Sequence, residues 1–453
     1  MKSFYTRILF LSVLLLTLGK VSGLAQSATV SPYSRYGIGD LQNQNGVQSF
    51  SMGNTGIALH NDTLTPYFIT LKNPASYFYN KVTTYEAGLL NNNIMLATEG
   101  QSHYNNNTYF GYFAIAFPVS KSFGASFGLR PMSSVGYNIN TTANIDSIDK
   151  NGNSTPIGTT TNQYIGTGGI NQLHVGLAWA PSFFKNRNLS IGANASFMFG
   201  YLNYTQNVEY SPNILAINSQ TMENINVHGF TSDYGIMYTI GRTHDSGLQV
   251  ILGATGTLGG SLFADYNMLS VGYVPGTPQT NVDTIDNEGG SGKIKLPISG
   301  GLGITVVKRD KDNNNQWTFS FDHAVQNWSR STIPGETENL NNSTQYNVGI
   351  QFIPHKNTSF FSRIHYRIGY SYNHTYLNIN NYPVNDNCVS LGLGIPIGPP
   401  FAPPINTQLG ILNIGMQFGS LGTTSNDLIR QDYAKFLVAF TFNSRWFQKH
   451  LYQ

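Results

Sequence analysis

The chain has 453 residues, of which 40% are hydrophobic, 13% aromatic and only 10% charged. Soluble domains carry about 25% charged residues, so the composition argues against a soluble enzyme. The 27 Tyr and 27 Phe argue against a disordered chain. The run Ile8–Leu18 is too short to cross a bilayer as a helix. A polar average, with a mean hydropathy of -0.19, fits a transmembrane β-barrel whose lipid-facing and lumen-facing residues alternate.

The first 25 residues have the pattern of a secretory signal peptide. Lys2 and Arg7 precede the apolar run, and Gly23-Leu24-Ala25 provides a small-residue cleavage site. Its removal takes away three cations and no acid, which leaves 22 Lys and Arg against 22 Asp and Glu. A neutral mature chain offers no basic surface for nucleic acid. We therefore expect export to the outer membrane of a Gram-negative cell, contact with its lipid, and no nucleic-acid partner.

Residues 26–80 do not alternate and are predicted to form a plug, or hatch, inside the barrel. They contain the small-residue run Met52–Leu59 and the triplet Asn73-Pro74-Ala75. Gly, Asn and Pro are common in turns, so the triplet has a structural interpretation as a shape-giving element of the plug. The functional interpretation is that Asn73, Pro74 and Ala75 take part in gating.

Residues 81–443 show repeated alternation of apolar and small or polar residues, for example in Leu248–Ala254 and Leu189–Phe199. These segments predict an all-β fold, a transmembrane antiparallel barrel of about fourteen strands, an even number as closure of a single chain requires. Residues 444–453 are predicted to form a periplasmic tail. Short turns alternate with long polar segments, which are expected to be outer loops at residues 91–107, 139–169, 203–227, 264–292 and 323–343.

Arg130-Pro131 interrupts the third predicted strand. Proline cannot donate a ladder hydrogen bond, so the wall is expected to kink or part between Pro131 and Gly136. The alternative is that Pro131 lies at the outer rim, where pairing ends in any case.

Few ionisable residues fall on the inward parity, too few for the charged rings of an ion-selective pore. They are Glu86, Arg130, His174, Asp233, Lys295, Asp322, His365, Arg367 and Lys435. Because buried charges are usually paired, most are expected to contact the plug. Arg130, His365 and Arg367 are also candidates for the lining of a ligand path.

Catalysis is not expected, and neither a metal nor a cofactor is expected. His174, His365 and Asp322 would need a serine nucleophile that the sequence does not single out. The turn Asp310–Asn314 lacks the Gly and Glu of a calcium loop.

The plug resembles that of the FadL family of outer-membrane long-chain fatty acid transporters, where an Asn-Pro-Ala motif precedes the first strand as Asn73, Pro74 and Ala75 do here. The resemblance implies a plugged barrel for hydrophobic compounds, with a lateral opening at the third strand near Arg130 and Pro131. The segments Ser31–Gly37 and Lys435–Phe447 look like those of Bacteroidetes-type barrels, among which the family includes a protein-secretion shuttle subunit.

The leading functional hypothesis is passive uptake of hydrophobic compounds such as long-chain fatty acids. Outer loops would capture the apolar ligand and movement of the plug would release it. The first alternative is a shuttle or partner-binding subunit that engages a secretion-system protein. The second is a structural barrel without cargo, because barrels host unrelated functions.

Overall fold

The computed structural model describes residues 30–42, 45–61, 67–148, 154–184, 188–214, 216–242, 247–274, 283–310, 315–333, 340–354, 360–379, 381–397, 410–426 and 428–444. The expected signal peptide lies outside the described residues, as does the expected tail beyond Ser444.

Fourteen antiparallel strands close into one barrel, which confirms the predicted fold and strand number. Strands β7 and β8 are each interrupted by two residues, but each occupies a single position in the wall. The barrel closes where β14 pairs with β1. The strands are β1 (Thr83–Ala97), β2 (Ser102–Pro118), β3 (Phe123–Ile148), β4 (Ser154–Trp179), β5 (Leu189–Tyr210), β6 (Asn218–Arg242), β7 (Leu248–Thr257 and Gly260–Tyr273), β8 (Asp283–Leu296 and Ser299–Arg309), β9 (Gln316–Gln326), β10 (Ser343–Ile353), β11 (His365–Ile379), β12 (Tyr382–Ile397), β13 (Gly410–Leu421) and β14 (Arg430–Ser444).

The alternation in the sequence corresponds to the two faces of the wall. In β6, Ile236, Tyr238 and Ile240 are exposed, whereas Met237 and Thr239 between them are buried. The same pattern recurs in β9, where Trp317, Phe319 and Phe321 are exposed. An apolar outer face is what a barrel in a lipid bilayer requires. Among the described helices, none has the length and apolar character needed to cross a bilayer.

Most of the expected outer loops are instead long strands. The ladder between β3 and β4 continues through residues 139–148 and 154–169, as far as the pair Ile148 and Ser154. At the outer ends, as in residues 140–144, both faces are exposed, so apolar and polar side chains do not alternate there and the ladder depends on backbone hydrogen bonds. Hydrophobic periodicity reports a strand only where one face is apolar, which is why the expectation of loops was wrong.

Lys295 also differs from expectation. It was assigned to the lumen, but it is exposed, while its neighbours Ile294 and Leu296 are buried. The two-residue interruption of β8 changes the parity, so that even-numbered residues face inward before it and odd-numbered residues such as Thr305 after it.

The plug fills the barrel, as predicted. It contains a short strand Asp40–Leu41, the helix Val47–Ser51 and two 3-10 helices, Pro32–Arg35 and Pro74–Tyr79. Inward glycines of the wall make room for it, since a Cβ atom at Gly369 would lie 2.1 Å from the Gly53 nitrogen. Large side chains on this face would therefore exclude the plug.

Candidate functional site

The barrel wall parts between β2 and β3. The pairing between them runs only from Phe113 opposite Leu129 to Pro118 opposite Gly124, and it ends directly before Arg130 and Pro131. Beyond Leu129, on the outer side of the barrel, β2 remains paired with β1 and β3 remains paired with β4. Pro131 has no N–H to donate, and the β3–β4 register shifts between Pro131 and Ser133. The third strand itself runs unbroken from Phe123 to Ile148, so Arg130 and Pro131 do not interrupt it, but they mark the point at which its pairing with β2 ends.

The freed edge of β3 is covered by residues 31–42 of the plug, which we call the capping segment. Asp40 pairs with Ser134 and Leu41 with Ser133. The Gln42 N–H donates to the Met132 carbonyl at 2.9 Å, and the Ser31 N–H donates to the Gly136 carbonyl at 2.8 Å. These bonds replace the ladder that β2 would have supplied, because an uncovered strand edge is unfavourable in a membrane.

Amide side chains connect both edges of the gap to the plug. On the β2 side, Tyr109 donates its hydroxyl hydrogen to Gln42 Oε1 at 3.0 Å. On the β3 side, Arg130 donates to Asn45 and, at 2.9 Å, to Gln172 Oε1. Gln42 and Asn45 of the plug therefore contact opposite edges of the gap. The sequence did not point to Gln42, Asn45 or Tyr109, because they have no distinctive spacing or composition.

Two wall carboxylates anchor the central part of the plug. Asp322 Oδ2 accepts hydrogen bonds from the backbone N–H groups of Gly56 at 2.7 Å and Ile57 at 3.0 Å. It also forms a 3.2 Å ion pair with Lys72. Its side chain is fully buried, so it follows the rule that buried charges are paired.

Glu86 holds the plug in the same way from β1. One oxygen accepts from the Ile69 N–H at 3.1 Å and the other from the Val47 N–H at 3.4 Å. Wall residues Tyr112 and Thr441 also donate to it. The expected contacts between inward charges and the plug are confirmed for Glu86 and Asp322.

The triplet Asn73-Pro74-Ala75 packs against the wall and is completely enclosed. Asn73 precedes the helix Pro74–Tyr79, and its side-chain oxygen accepts from the Ala75 N–H at 3.0 Å. Its amide nitrogen donates to the carbonyl of Ile57 at 2.7 Å. Gly235 lies so close that a Cβ atom there would be 1.9 Å from Asn73 Oδ1. The triplet therefore fixes the plug to β6.

His365 and Arg367 occupy a different place, on β11. Arg367 donates to Gln351 and Asn413, both at 2.8 Å. The His365 ring meets the Tyr67 ring edge-on, with centroids 4.9 Å apart. The candidate residues thus form three separate groups, with Arg130 and Pro131 at the gap, Asn73–Ala75 against β6, and His365 and Arg367 on β11.

The residues considered for hydrolysis are not assembled. Asp322 binds the plug, His365 packs on Tyr67, and His174 Nε2 lies 3.3 Å from Ser126 Oγ. Within the described parts of the chain, no three His, Cys, Asp or Glu side chains are grouped to hold a metal ion.

An apolar layer crosses the outer half of the lumen. Tyr33 and Ile38 of the capping segment pack in it with wall residues that include Leu202 and Leu262, and Leu41 and Met132 at the gap pack against it. Below it lies a cavity of about 230 Å³ with a mixed lining, in which the charged side chains of Arg130, Asp233 and Lys72 stand beside apolar ones such as Ile57 and Met198. The apolar layer therefore reaches the lateral gap, whereas charged groups take part in lining the centre of the lumen.

Several solved structures resemble this chain in fold. The monoaromatic hydrocarbon channel CymD matches with a TM-score of 0.54 and 12% identity, over 91% of this chain and 100% of CymD. The toluene transporter TbuX of Ralstonia pickettii matches with a TM-score of 0.51 and 12% identity, over 88% of this chain and 98% of TbuX. A FadL homologue from Pseudomonas aeruginosa matches with a TM-score of 0.51 and 13% identity, over 88% of this chain and 98% of the homologue. The FadL-like fold is thereby confirmed.

No curated protein matches the sequence of this chain. A family model does match it, however, and is described as BamG. The match runs over residues 6–453 and so includes the plug and the whole barrel. The chain belongs to the BamG family.

Proposed function

We propose that the protein lets hydrophobic compounds cross the outer membrane by passive diffusion and releases them sideways between β2 and β3. The observation that carries this proposal is the β2–β3 ladder, which ends at Leu129 beside an apolar layer. The similarity to channels described for monoaromatic hydrocarbons and toluene supports it at the level of the fold. The outer membrane is the location that this fold supports.

A lateral route suits an apolar ligand better than a route through the plug. Leu41 and Met132 continue the apolar layer to the gap. The way down the lumen instead meets the charged side chains of Arg130, Asp233 and Lys72 and a plug held by Asp322 and Glu86. Burial in apolar surroundings is worth about 0.8 kcal/mol per CH₂, and an apolar ligand beside these charges would also have to desolvate them.

Movement in this proposal is confined to the capping segment and Asn45. The segment is attached to β3 by backbone hydrogen bonds and to β2 through Tyr109. Arg130 and Pro131 form the lower corner of the exit. Asn73, Pro74 and Ala75, together with His365 and Arg367, keep the rest of the plug in place. Long-chain fatty acids are the cargo that we favour.

A reversible disulfide across the exit tests this route. Leu41 and Ser133 are register partners, so the double variant Leu41→Cys/Ser133→Cys is expected to form a bond and to hold the capping segment on β3. Native Cys388 is buried and leaves the pair undisturbed. Uptake of a fluorescent long-chain fatty acid into proteoliposomes should fall to the rate of empty vesicles on oxidation and recover on reduction.

The control is Thr142→Cys/Thr161→Cys, a register pair between β3 and β4 in the outer extension. Its oxidation should leave uptake unchanged. Equal uptake by the oxidised exit variant and its reduced form would contradict the lateral route.

Extraction from native membranes distinguishes transport from the shuttle alternative. The full chain is purified in mild detergent, and everything that remains bound is identified by mass spectrometry. A stoichiometric apolar molecule supports uptake. An empty barrel that carries a secreted or secretion-system protein would replace uptake with the partner-binding function.

A further inference from the structure

A second cavity, of about 610 Å³, lies on the outer side of the apolar layer. Its floor includes Leu202, Ile225 and Ile294, which are buried in that layer. Tyrosine side chains dominate its walls, namely Tyr36, Tyr137, Tyr164, Tyr204 and Tyr266. A volume between about 300 and 1,000 Å³ with an apolar floor is typical of a small-molecule site.

Two opposite charges face this cavity without pairing. Arg35 and Glu223 both line it. Neither has a salt-bridge partner among the described residues. The Arg35 guanidinium instead lies against tyrosines, with its carbon 5.3 Å from the Tyr164 ring centroid and 6.0 Å from that of Tyr36. The cavity therefore offers one cationic and one anionic group at separate positions.

The two charges have different surroundings. Arg35 ends the helix Pro32–Arg35 of the plug. Glu223 is on β6, in register with Tyr204 on β5, and Ile225 two residues further along pairs with Tyr266 on β7. An ammonium group beside Glu223 would thus be near two aromatic rings, and aromatic faces attract cations. A carboxylate or phosphate would bind at Arg35, whose guanidinium is suited to both groups.

We propose that this outer cavity binds an amphipathic zwitterion, with its anionic group at Arg35, its ammonium group at Glu223 and its apolar part on the floor. A ligand with a negative charge alone would be repelled by Glu223, and one with a positive charge alone by Arg35. An uncharged ligand would desolvate both groups without compensating either. The site goes beyond the lateral uptake route and does not depend on it.

Short peptides with free termini and choline-type lipid headgroups share this chemistry. The probes are leucyl-phenylalanine, its N-acetyl derivative, its C-terminal amide, and hexylphosphocholine. The full chain in a non-ionic detergent is titrated with each probe by calorimetry. The derivatives keep the apolar part of the dipeptide and remove one charge at a time.

For a peptide ligand, free leucyl-phenylalanine should bind at least about tenfold more tightly than either blocked derivative, because one charge-assisted hydrogen bond contributes about that factor. In Arg35→Gln, the free dipeptide and its amide should bind with equal affinity. In Glu223→Gln, the free dipeptide and its N-acetyl derivative should bind with equal affinity. Arg430→Gln, which changes an arginine that does not line the cavity, should preserve both differences in affinity.

The protein could instead bind hexylphosphocholine and not the dipeptide, with this binding lost in both Arg35→Gln and Glu223→Gln. That result would support the zwitterion site and identify a lipid headgroup as the source of its ligand. Equal binding of leucyl-phenylalanine and its N-acetyl derivative to the unmodified protein would overturn the proposal. Failure of both zwitterions to bind would overturn it as well. The fatty acid uptake assay reports separately on the lateral route.

Discussion

The variant Asp322→Ala is expected to lose about 3–5 kcal/mol of unfolding free energy, as buried ion pairs do when one partner is removed. The substitution leaves Lys72 without its carboxylate and the N–H groups of Gly56 and Ile57 without their acceptor. Because these groups belong to the plug, the central plug should detach from β9. Urea unfolding in lipid vesicles measures the loss, and planar-bilayer conductance should rise as the lumen opens.

Two further variants separate the ion pair from the backbone contacts. Lys72→Met removes the ion pair and the 2.6 Å hydrogen bond from Lys72 Nζ to the Asn54 carbonyl, but it keeps both N–H bonds to Asp322, so its loss should be smaller than that of Asp322→Ala. Asp432→Ala breaks the exposed 3.0 Å pair with Arg430, in which both side chains are more than 40% exposed. That change should cost at most about 1 kcal/mol. If Asp322→Ala behaved like Asp432→Ala, the anchoring role of Asp322 would be wrong.

The fold was predictable because lipid and lumen impose opposite requirements on alternate residues. In β9, Trp317 and Phe319 face lipid, and Thr318 between them is buried. Such segments provided the strand number and the order of the hairpins. Further out, as in residues 140–144, both faces are exposed, so the sequence shows no alternation although the strand continues.

The site was predictable only in part. Pro131 does not break the third strand, but it indicated the place where the pairing with β2 ends, because the missing N–H is a local property. The contacts of Asp322 with Gly56 and Ile57 join residues more than 260 positions apart, and only the general rule that buried charges are paired anticipated them. The capping segment could not be foreseen, since Asp40 and Leu41 pair with β3 through backbone groups that every residue has.

Asn73→Asp is expected to destabilise the plug more than Asn73→Ala, although aspartate is the closer match in shape. Asn73 Nδ2 donates to the Ile57 carbonyl at 2.7 Å and lies 3.4 Å from the Ile236 carbonyl. Aspartate would still accept from the Ala75 N–H, but it would place an acceptor against both carbonyls. Alanine loses the hydrogen bonds and the cap, which costs about 1–3 kcal/mol, and a buried unpaired charge costs more.

Urea unfolding of the two variants, with limited proteolysis of the plug, measures this order. Asn106→Asp is the matched control, because it introduces the same charge at an exposed asparagine of β2. Gly235→Ala disturbs the same contact by a change in the barrel wall. Its methyl group would lie 1.9 Å from Asn73 Oδ1, so this variant should also loosen the plug. A variant Asn73→Asp as stable as the unmodified protein would show that Asn73 does not fix the plug to β6. The triplet would then be no more than a turn in the plug, and the search for what holds the plug would move to Glu86 and Asp322 alone.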